Sequence, residues 1–219
     1  MKESYRILFE SGQDEIVEKK SRFIGITFPI DSEEEAVRYI EECKKKYWDA
    51  RHRCYAYVIG ENMELQRFSD DGEPQGTAGK PILDVLIGED VHDCLIIVVR
   101  YFGGTLLGTG GLVKAYSQAS RAALLSSEVL EKKRGIILSV QTDYNGIGKI
   151  QYMLGNRNVE IWKSEYGEDV KLQVLTPISQ IDEIMNEITE ITMGKSILKK
   201  EKEIYFVKSS RDVLVYDLA

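Results

Sequence analysis

Between Arg100 and Leu112 the chain reads Arg-Tyr-Phe-Gly-Gly-Thr-Leu-Leu-Gly-Thr-Gly-Gly-Leu, and five glycines, Gly103, Gly104, Gly108, Gly110 and Gly111, join an apolar run to a helical pattern. Glycine tolerates positive φ and lets other groups approach the backbone, and the first turn of a helix presents N–H groups that have no intrahelical partner. A phosphate suits such a junction. The same glycines equally suit a tight crossover packed against a neighbouring strand, and glycine spacing alone does not separate the two readings. Neither standard nucleotide motif is present. Gly108-Thr-Gly-Gly-Leu-Val113 lacks the last glycine of Gly-x-Gly-x-x-Gly, and around Gly76-Thr-Ala-Gly-Lys-Pro81 a Walker motif fails at Pro74 and Pro81.

Asp70, Asp71 and Glu73 bring three carboxylates within four residues. Such a group can hold a cation, but Asp-Asp-Gly is ordinary turn chemistry and metal sites need converging ligands, so the turn reading is preferred and no metal is expected. His52 and Cys54, two apart on an extended segment, share a face. Nothing marks an orienting third group or a thiol of lowered pKa, which leaves a cysteine nucleophile without support. His92, in Glu89-Asp-Val-His-Asp93, reads as a loop residue. With two histidines and no Gly-x-Ser-x-Gly elbow, a Ser-His-Asp hydrolase is also unsupported. No catalytic residue and no cofactor is assigned on these grounds. Basic residues gather around the same segments, Arg51, Arg53, Lys80, Arg100 and Lys114, with Tyr101 and Phe102 between them. Cation and aromatic together suit phosphate contact plus base stacking, while a merely solvated basic face is the alternative.

The elements that must position these residues follow from periodicity. Strands are predicted at 5–9 and 21–30. Ser32 with Glu35 then forms a capping box ahead of a helix whose stripe is Ala36, Val37, Ile40, Cys43 and Tyr47. His52 to Gly60 alternates as a strand, with a short hairpin partner at 65–68. Pro81 suits the first turn of a helix carrying Ile82, Leu83, Val85 and Leu86. Cys94 to Val99 does not alternate, so it reads as a strand buried on both faces, and Thr109 starts a helix presenting Leu112, Tyr116, Ala119 and Ala123. The polar stretch Ser127 to Arg134 places a domain boundary, giving domains 1–134 and 135–219. Behind it, strand 135–142, helix 145–156, strands 159–165 and 169–176, helix 179–191 capped by Ser179 with Asp182, and strand 204–208 give β-α-β-β-α-β. That is the ferredoxin-like order, and the fold class is α+β.

The chain has 219 residues, 43% hydrophobic and 30% charged, with a net charge of −7. Its longest apolar run falls well short of the roughly 20 residues a membrane span needs, and the N-terminal residues show no signal-peptide pattern, so a cytoplasmic protein without membrane contact is expected. Cys43, Cys54 and Cys94, an odd set without Cys-x-x-Cys spacing, read as reduced core thiols. The acidity is shared, −4 over residues 1–134 and −3 over 135–219. It argues against a broadly basic nucleic-acid-binding surface and against sequence-specific DNA binding, and leaves room for a local basic cleft.

Ala50-x-His52, Ser69-Asp-Asp-Gly-Glu-Pro-x-Gly-Thr-Ala-Gly-x-Pro-Ile82 and Val98-Val-Arg-Tyr-Phe-Gly-Gly-x-x-Leu-Gly-x-Gly-Gly-Leu112 resemble the signature of the IMPACT family, including its bacterial YigZ-type members. The resemblance covers residues 1–130 strongly. It implies a first domain of the ribosomal protein S5 domain 2-like kind and a second, ferredoxin-like domain similar to the C-terminal domains of elongation factor G. It marks Asp70, Asp71, Gly72, Glu73, Gly76 and Thr77 as the family's motif turn. In the eukaryotic relatives the family acts in translational control. The expectation is therefore a non-enzymatic, translation-associated regulatory protein whose partner is RNA, the ribosome or a translation factor. Its contact would be a cleft of Arg100, Tyr101, Phe102, the Gly103 to Gly111 loop, Lys80, Lys114 and His52. The rival is an enzyme of small phosphorylated metabolites, with phosphate on the glycine loop and Mg²⁺ on Asp70, Asp71 or Glu73.

Overall fold

The run that fails to alternate, Cys94-Leu-Ile-Ile-Val-Val-Arg-Tyr101, is the middle strand of a five-stranded sheet, and that position explains its composition. The computed structural model describes residues 1–218, and the chain divides into two units, Tyr5–Leu130 and the remainder, Met1–Ser4 with the residues from Glu131 onward. The elements up to the division are β1 (Ser4–Glu10), β2 (Gln13–Glu18), β3 (Ser21–Pro29), α1 (Glu33–Lys46), β4 (His52–Ile59), β5 (Leu65–Ser69), α2 (Gly79–Gly88), β6 (Val91–His92), β7 (Cys94–Tyr101) and α3 (Gly108–Leu125). The sheet order is β2-β3-β7-β4-β5 with every neighbouring pair antiparallel, while β1 pairs in parallel with β6.

Helices lie on both faces of the sheet. Ala36, Ile40 and Cys43 of α1 pack on Leu95, Ile97 and Val99, and Ile82, Leu86, Ala115 and Tyr116 of α2 and α3 pack on Cys94, Ile96 and Val98. An antiparallel strand thus carries the continuous apolar run more typical of parallel sheets, because both of its faces are covered. The capping box of α1 forms: the Glu35 N–H donates to Ser32 Oγ at 3.3 Å, and Glu35 Oε2 accepts from the Asp31 N–H at 3.2 Å. Val37, expected in the buried stripe, is exposed. Helix α3 sits close on β3, since a Cβ on Gly25 would lie 2.4 Å from the Ala119 carbonyl oxygen.

The second unit takes up β8 (Glu128–Thr142), α4 (Tyr144–Asn156), β9 (Glu160–Tyr166), β10 (Val170–Pro177), a 3₁₀ turn (Ile178–Gln180), α5 (Ile181–Ile191), β11 (Ile197–Lys208) and β12 (Val213–Asp217). Its antiparallel ladder runs β12-β11-β8-β10-β9. Leu138, Val140, Leu172 and Val174 pack against Ile150 and Leu154 of α4 and Ile184 and Ile188 of α5.

Several readings of the sequence change. The polar stretch 127–134, where the sequence places a domain boundary, is itself extended: β8 already begins at Glu128, and Lys132, Lys133 and Arg134 stand opposite Val207, Phe206 and Tyr205. Ladder hydrogen bonds use the backbone alone, so charged side chains are no obstacle. The contact division falls at Leu130/Glu131, slightly before the expected one. Ser179 lies inside the 3₁₀ turn and caps nothing, and Asp182 binds the Lys200 ammonium at 2.8 Å instead. His92 is fully buried in β6, its Nδ1 2.8 Å from the Gly60 carbonyl and its ring against Tyr5. Strands β2 and β12 are additional to the expected elements, and β2 carries only Ile16 and Val17 as apolar residues. No helix among the described residues is long and apolar enough to cross a membrane.

Gly25→Val is expected to lower stability by about 1–3 kcal/mol through overpacking against α3, with the secondary structure retained. Urea unfolding followed by circular dichroism checks it, and an unchanged midpoint would mean that α3 is not held at this distance.

Candidate functional site

Antiparallel pairing sets three side chains beside one another: Arg100 of β7 stands opposite Phe23 of β3 on one side and His52 of β4 on the other. All three lie on the face covered by α2 and α3. The Arg100 guanidinium carbon sits 5.3 Å from the Phe23 ring centroid, and the edge of that ring meets Tyr116 of α3 at 5.2 Å between centroids.

The turn after β5 brings in the fourth group. Asp70 accepts the N–H groups of Gly76, Ala78 and Gly79 at 2.8, 3.0 and 2.8 Å, tying the loop to the start of α2. Asp71 accepts the Arg53 N–H at 2.7 Å and lies 3.3 Å from its guanidinium, and the Thr77 hydroxyl donates to the Pro74 carbonyl at 2.6 Å. Held this way, the turn points Glu73 inward with 3% of its side chain exposed. Its Oε1 accepts from Arg100 Nη1 at 2.5 Å and from the Tyr116 hydroxyl at 2.8 Å, and His52 Nε2 lies 3.8 Å away. His52 Nδ1 is 2.7 Å from the Asp71 carbonyl oxygen, which only accepts, so Nδ1 carries a proton.

Beside this cluster opens a cavity of about 420 Å³. Its wall is the Gly72–Pro74 turn, Arg51, His52, Arg100, Phe102, Leu106–Thr109 at the start of α3, and Leu112. Phe102 is 41% exposed, with the guanidinium carbons of Arg51 and Arg100 each 5.7 Å from its ring centroid.

The structure therefore gathers Arg100, Phe102, His52, Gly72, Glu73 and Gly108 into one wall and leaves other expected residues outside it. Lys80 pairs with Asp84 one turn along α2, and Lys114 is exposed on α3, so neither belongs to the cleft. Tyr101 donates its hydroxyl to Asp49 at 2.9 Å and carries Arg22 on its ring, also outside. The glycines divide by role. Gly103 packs on the backbone of Lys20 and Ser21, where a Cβ would lie 2.0 Å from the Lys20 carbonyl carbon, and Gly104 and Gly108 adopt positive φ, +83° and +75°. A Cβ on Gly110 would meet nothing within 4 Å, and one on Gly111 would touch Leu107 at 3.0 Å. Tyr116 stands outside the expected site. Tyr116 read simply as part of an apolar stripe, and nothing local announces that its hydroxyl meets a carboxylate 43 residues earlier.

Among the described residues, no three His, Cys, Asp or Glu side chains converge as metal ligands, and Asp70 and Asp71 are each taken up by backbone or arginine donors. Burial pushes the thiols upward, Cys43 to about 11 and Cys54 and Cys94 further. The Cys54 thiol, 3.0 Å from the Asp70 carbonyl and 3.4 Å from the Tyr116 hydroxyl, is a packed donor and not a nucleophile.

The Impact N-terminal domain family matches residues 19–124, and a second family, Domain of unknown function (DUF1949), matches residues 140–195. IMPACT family member YvyE of Bacillus subtilis is 39% identical over 209 residues, covering 95% of this chain and 96% of the relative. The chain belongs to the IMPACT family. IMPACT family member YigZ of Escherichia coli is likewise 39% identical, over 178 residues, covering 80% of this chain and 87% of the relative. A crystal structure of a hypothetical protein aligns at TM-score 0.59 and 36% identity, covering 92% of this chain and 99% of that one. In this IMPACT chain both matched segments lie within separate units, and the cavity lies wholly inside the first.

Two outcomes are expected. Glu73→Ala strands a buried guanidinium and should lower stability by about 3–5 kcal/mol in urea unfolding, whereas Glu73→Leu combined with Arg100→Met should cost far less. Equal losses would show that packing, and not the unpaired charge, sets the penalty. With Cys43 at about 11, roughly one thiol in a thousand is ionised at pH 8, so Ellman's reagent should label none of the three cysteines in the native chain and all three in denaturant. Rapid native labelling would contradict the burial.

Proposed function

We propose that this chain is a translation-associated regulatory protein that binds single-stranded RNA at the mouth of the first unit's cavity. The observation that carries the reading is Phe102, a half-exposed ring flanked at 5.7 Å by the guanidinium carbons of Arg51 and Arg100. An aromatic face accepts an unstacked base of any identity, and adjacent cations hold the phosphates on either side. The link to translation comes from the family resemblance of the motif turn and glycine loop. The S5 domain 2-like and ferredoxin-like readings of the two units belong to the same proposal. For the second unit, the order β-α-β-β-α-β supports it, as does the ladder β11-β8-β10-β9. A cytoplasmic setting is part of this reading. With a net charge of −7, attraction is confined to the cleft, so RNA is held by contact and not by a long-range field.

The rival, an enzyme of small phosphorylated metabolites, draws support from the presence of a cavity beside the glycine loop, but the Mg²⁺ ligands it needs are engaged elsewhere. Asp70 holds three N–H groups and Glu73 holds Arg100.

Filter binding with a short unstructured RNA at low and physiological salt tests the reading. Affinity should fall as salt rises, Phe102→Ala should cost about 1–3 kcal/mol, and Arg51→Gln should weaken binding and flatten the salt slope by about 1. No binding at low salt to RNA or to purified ribosomes, or a Phe102→Ala variant indistinguishable from the natural chain, overturns it.

A further inference from the structure

Two sets of hydrogen-bond donors beside the cavity, contributed by different elements, have no acceptor among the described residues. Arg100 is buried, with 6% of its side chain exposed, and it gives one N–H to Glu73 while its Nε makes no hydrogen bond. A guanidinium carries five N–H groups in a rigid fork shaped for oxyanions, so an idle buried edge of it is a site waiting for an acceptor. Helix α3 starts on the same wall through Leu107, Gly108 and Thr109, with no side chain capping it and no acidic residue in its first turn. Its free N–H groups and the positive end of its dipole face an acceptor of negative charge. Arg51, on that wall too, touches Phe102 and forms no ion pair among the described residues.

We propose that the N-terminal turn of α3, Arg100 and Arg51 form a pocket for a single phosphate group. Glu73 neutralises Arg100 without using up its donors, so the net attraction comes from Arg51 and the helix end. Inorganic phosphate alone is therefore held weakly, and a phosphate carrying a base that reaches Phe102 is held more tightly. The phosphate could belong to a phosphodiester of bound RNA or to a phosphomonoester, and only the first of these sources rests on the RNA reading above.

The test uses the full chain and inorganic phosphate at constant ionic strength, read as the shift of the thermal unfolding midpoint. Ligand that binds only the folded state raises that midpoint with concentration. Thr109→Glu places a carboxylate on the wall in the first turn of α3, where it favours the helix end and competes for the anion's place. Gly148→Ala, in α4 and away from the cavity wall, adds a methyl group that meets nothing within 4 Å, so it serves as the control. The expected result is a rising midpoint with phosphate in the natural chain and in Gly148→Ala, and no response in Thr109→Glu, which stays folded in chloride. No response in the natural chain, or an equal response in Thr109→Glu, overturns the pocket. Comparing a 5′-phosphorylated oligonucleotide with its 5′-hydroxyl form assigns the source. A preference for the former means a phosphomonoester, and equal binding lost in Thr109→Glu means a phosphodiester. A phosphate response without RNA binding would overturn the RNA reading and leave the pocket standing. RNA binding that neither phosphate nor Thr109→Glu disturbs would overturn the pocket alone.

Discussion

A carboxylate and a guanidinium almost wholly out of water, Glu73 and Arg100, join the turn before α2 to the middle strand of the sheet. Removing each charge from water costs several kcal/mol, and their mutual attraction offsets this only where the remaining lone pairs and protons are also served. Here Tyr116 donates to the same carboxylate oxygen and Phe23 lies under the guanidinium. The arrangement thus recruits β3, β7, α3 and the turn, and none of these can shift without stranding a charge. A well-packed apolar cluster of equal volume would hold the same elements together at no loss of stability. What such a cluster could not do is present N–H donors to a cavity, and Arg100 still has donors to present.

The turn itself works as a jig. Its three carboxylates sit close in sequence yet do separate work: Asp70 gathers three backbone N–H groups at the start of α2, Asp71 fixes Arg53 and leaves its own carbonyl to His52, and Glu73 turns inward. Sequence proximity alone suggests one ligand set, and the Asp-Asp-Gly turn chemistry argues against it. Three acids in a tight turn diverge unless a cation gathers them, and here backbone and arginine donors take each in its own direction.

Local signals were readable wherever a few adjacent residues decide the outcome. The Ser32–Glu35 box named the start of α1, and the unbroken run at 94–99 named a strand covered on both faces. The glycine-rich junction was legible as a strand-to-helix crossing, though Gly103 serves close packing, and Gly104 and Gly108 serve positive φ. Long-range partnership was not legible. Tyr116 belongs to the apolar stripe of α3 by spacing, and only the fold sets a carboxylate in front of it. Lys114 was grouped with the cleft because it follows the glycine loop, but Leu112 is the residue on the wall, and two further steps of about 100° each carry a helical side chain round to the other side. His92, flanked by acids, gave no hint of burial, because its neighbours Asp90 and Asp93 adopt positive φ and turn the chain sharply on either side of it.

Charge distribution sets the kind of recognition this cavity can perform. A chain of net charge −7 surrounds a wall carrying Arg51, Arg100 and Glu73, so the local excess is a single positive charge plus one helix end. With a screening length of about 8 Å at physiological ionic strength, that excess is not felt beyond the mouth, and ligands arrive without steering. Under the proposed reading, selectivity comes from contact geometry: a flat group against Phe102 and an oxyanion at the turn of α3, with the buried Glu73 repelling any anion that enters without meeting Arg100. A ligand with only one of the two features would gain little, which makes a nucleotide unit a better fit for this wall than either a bare anion or a bare ring.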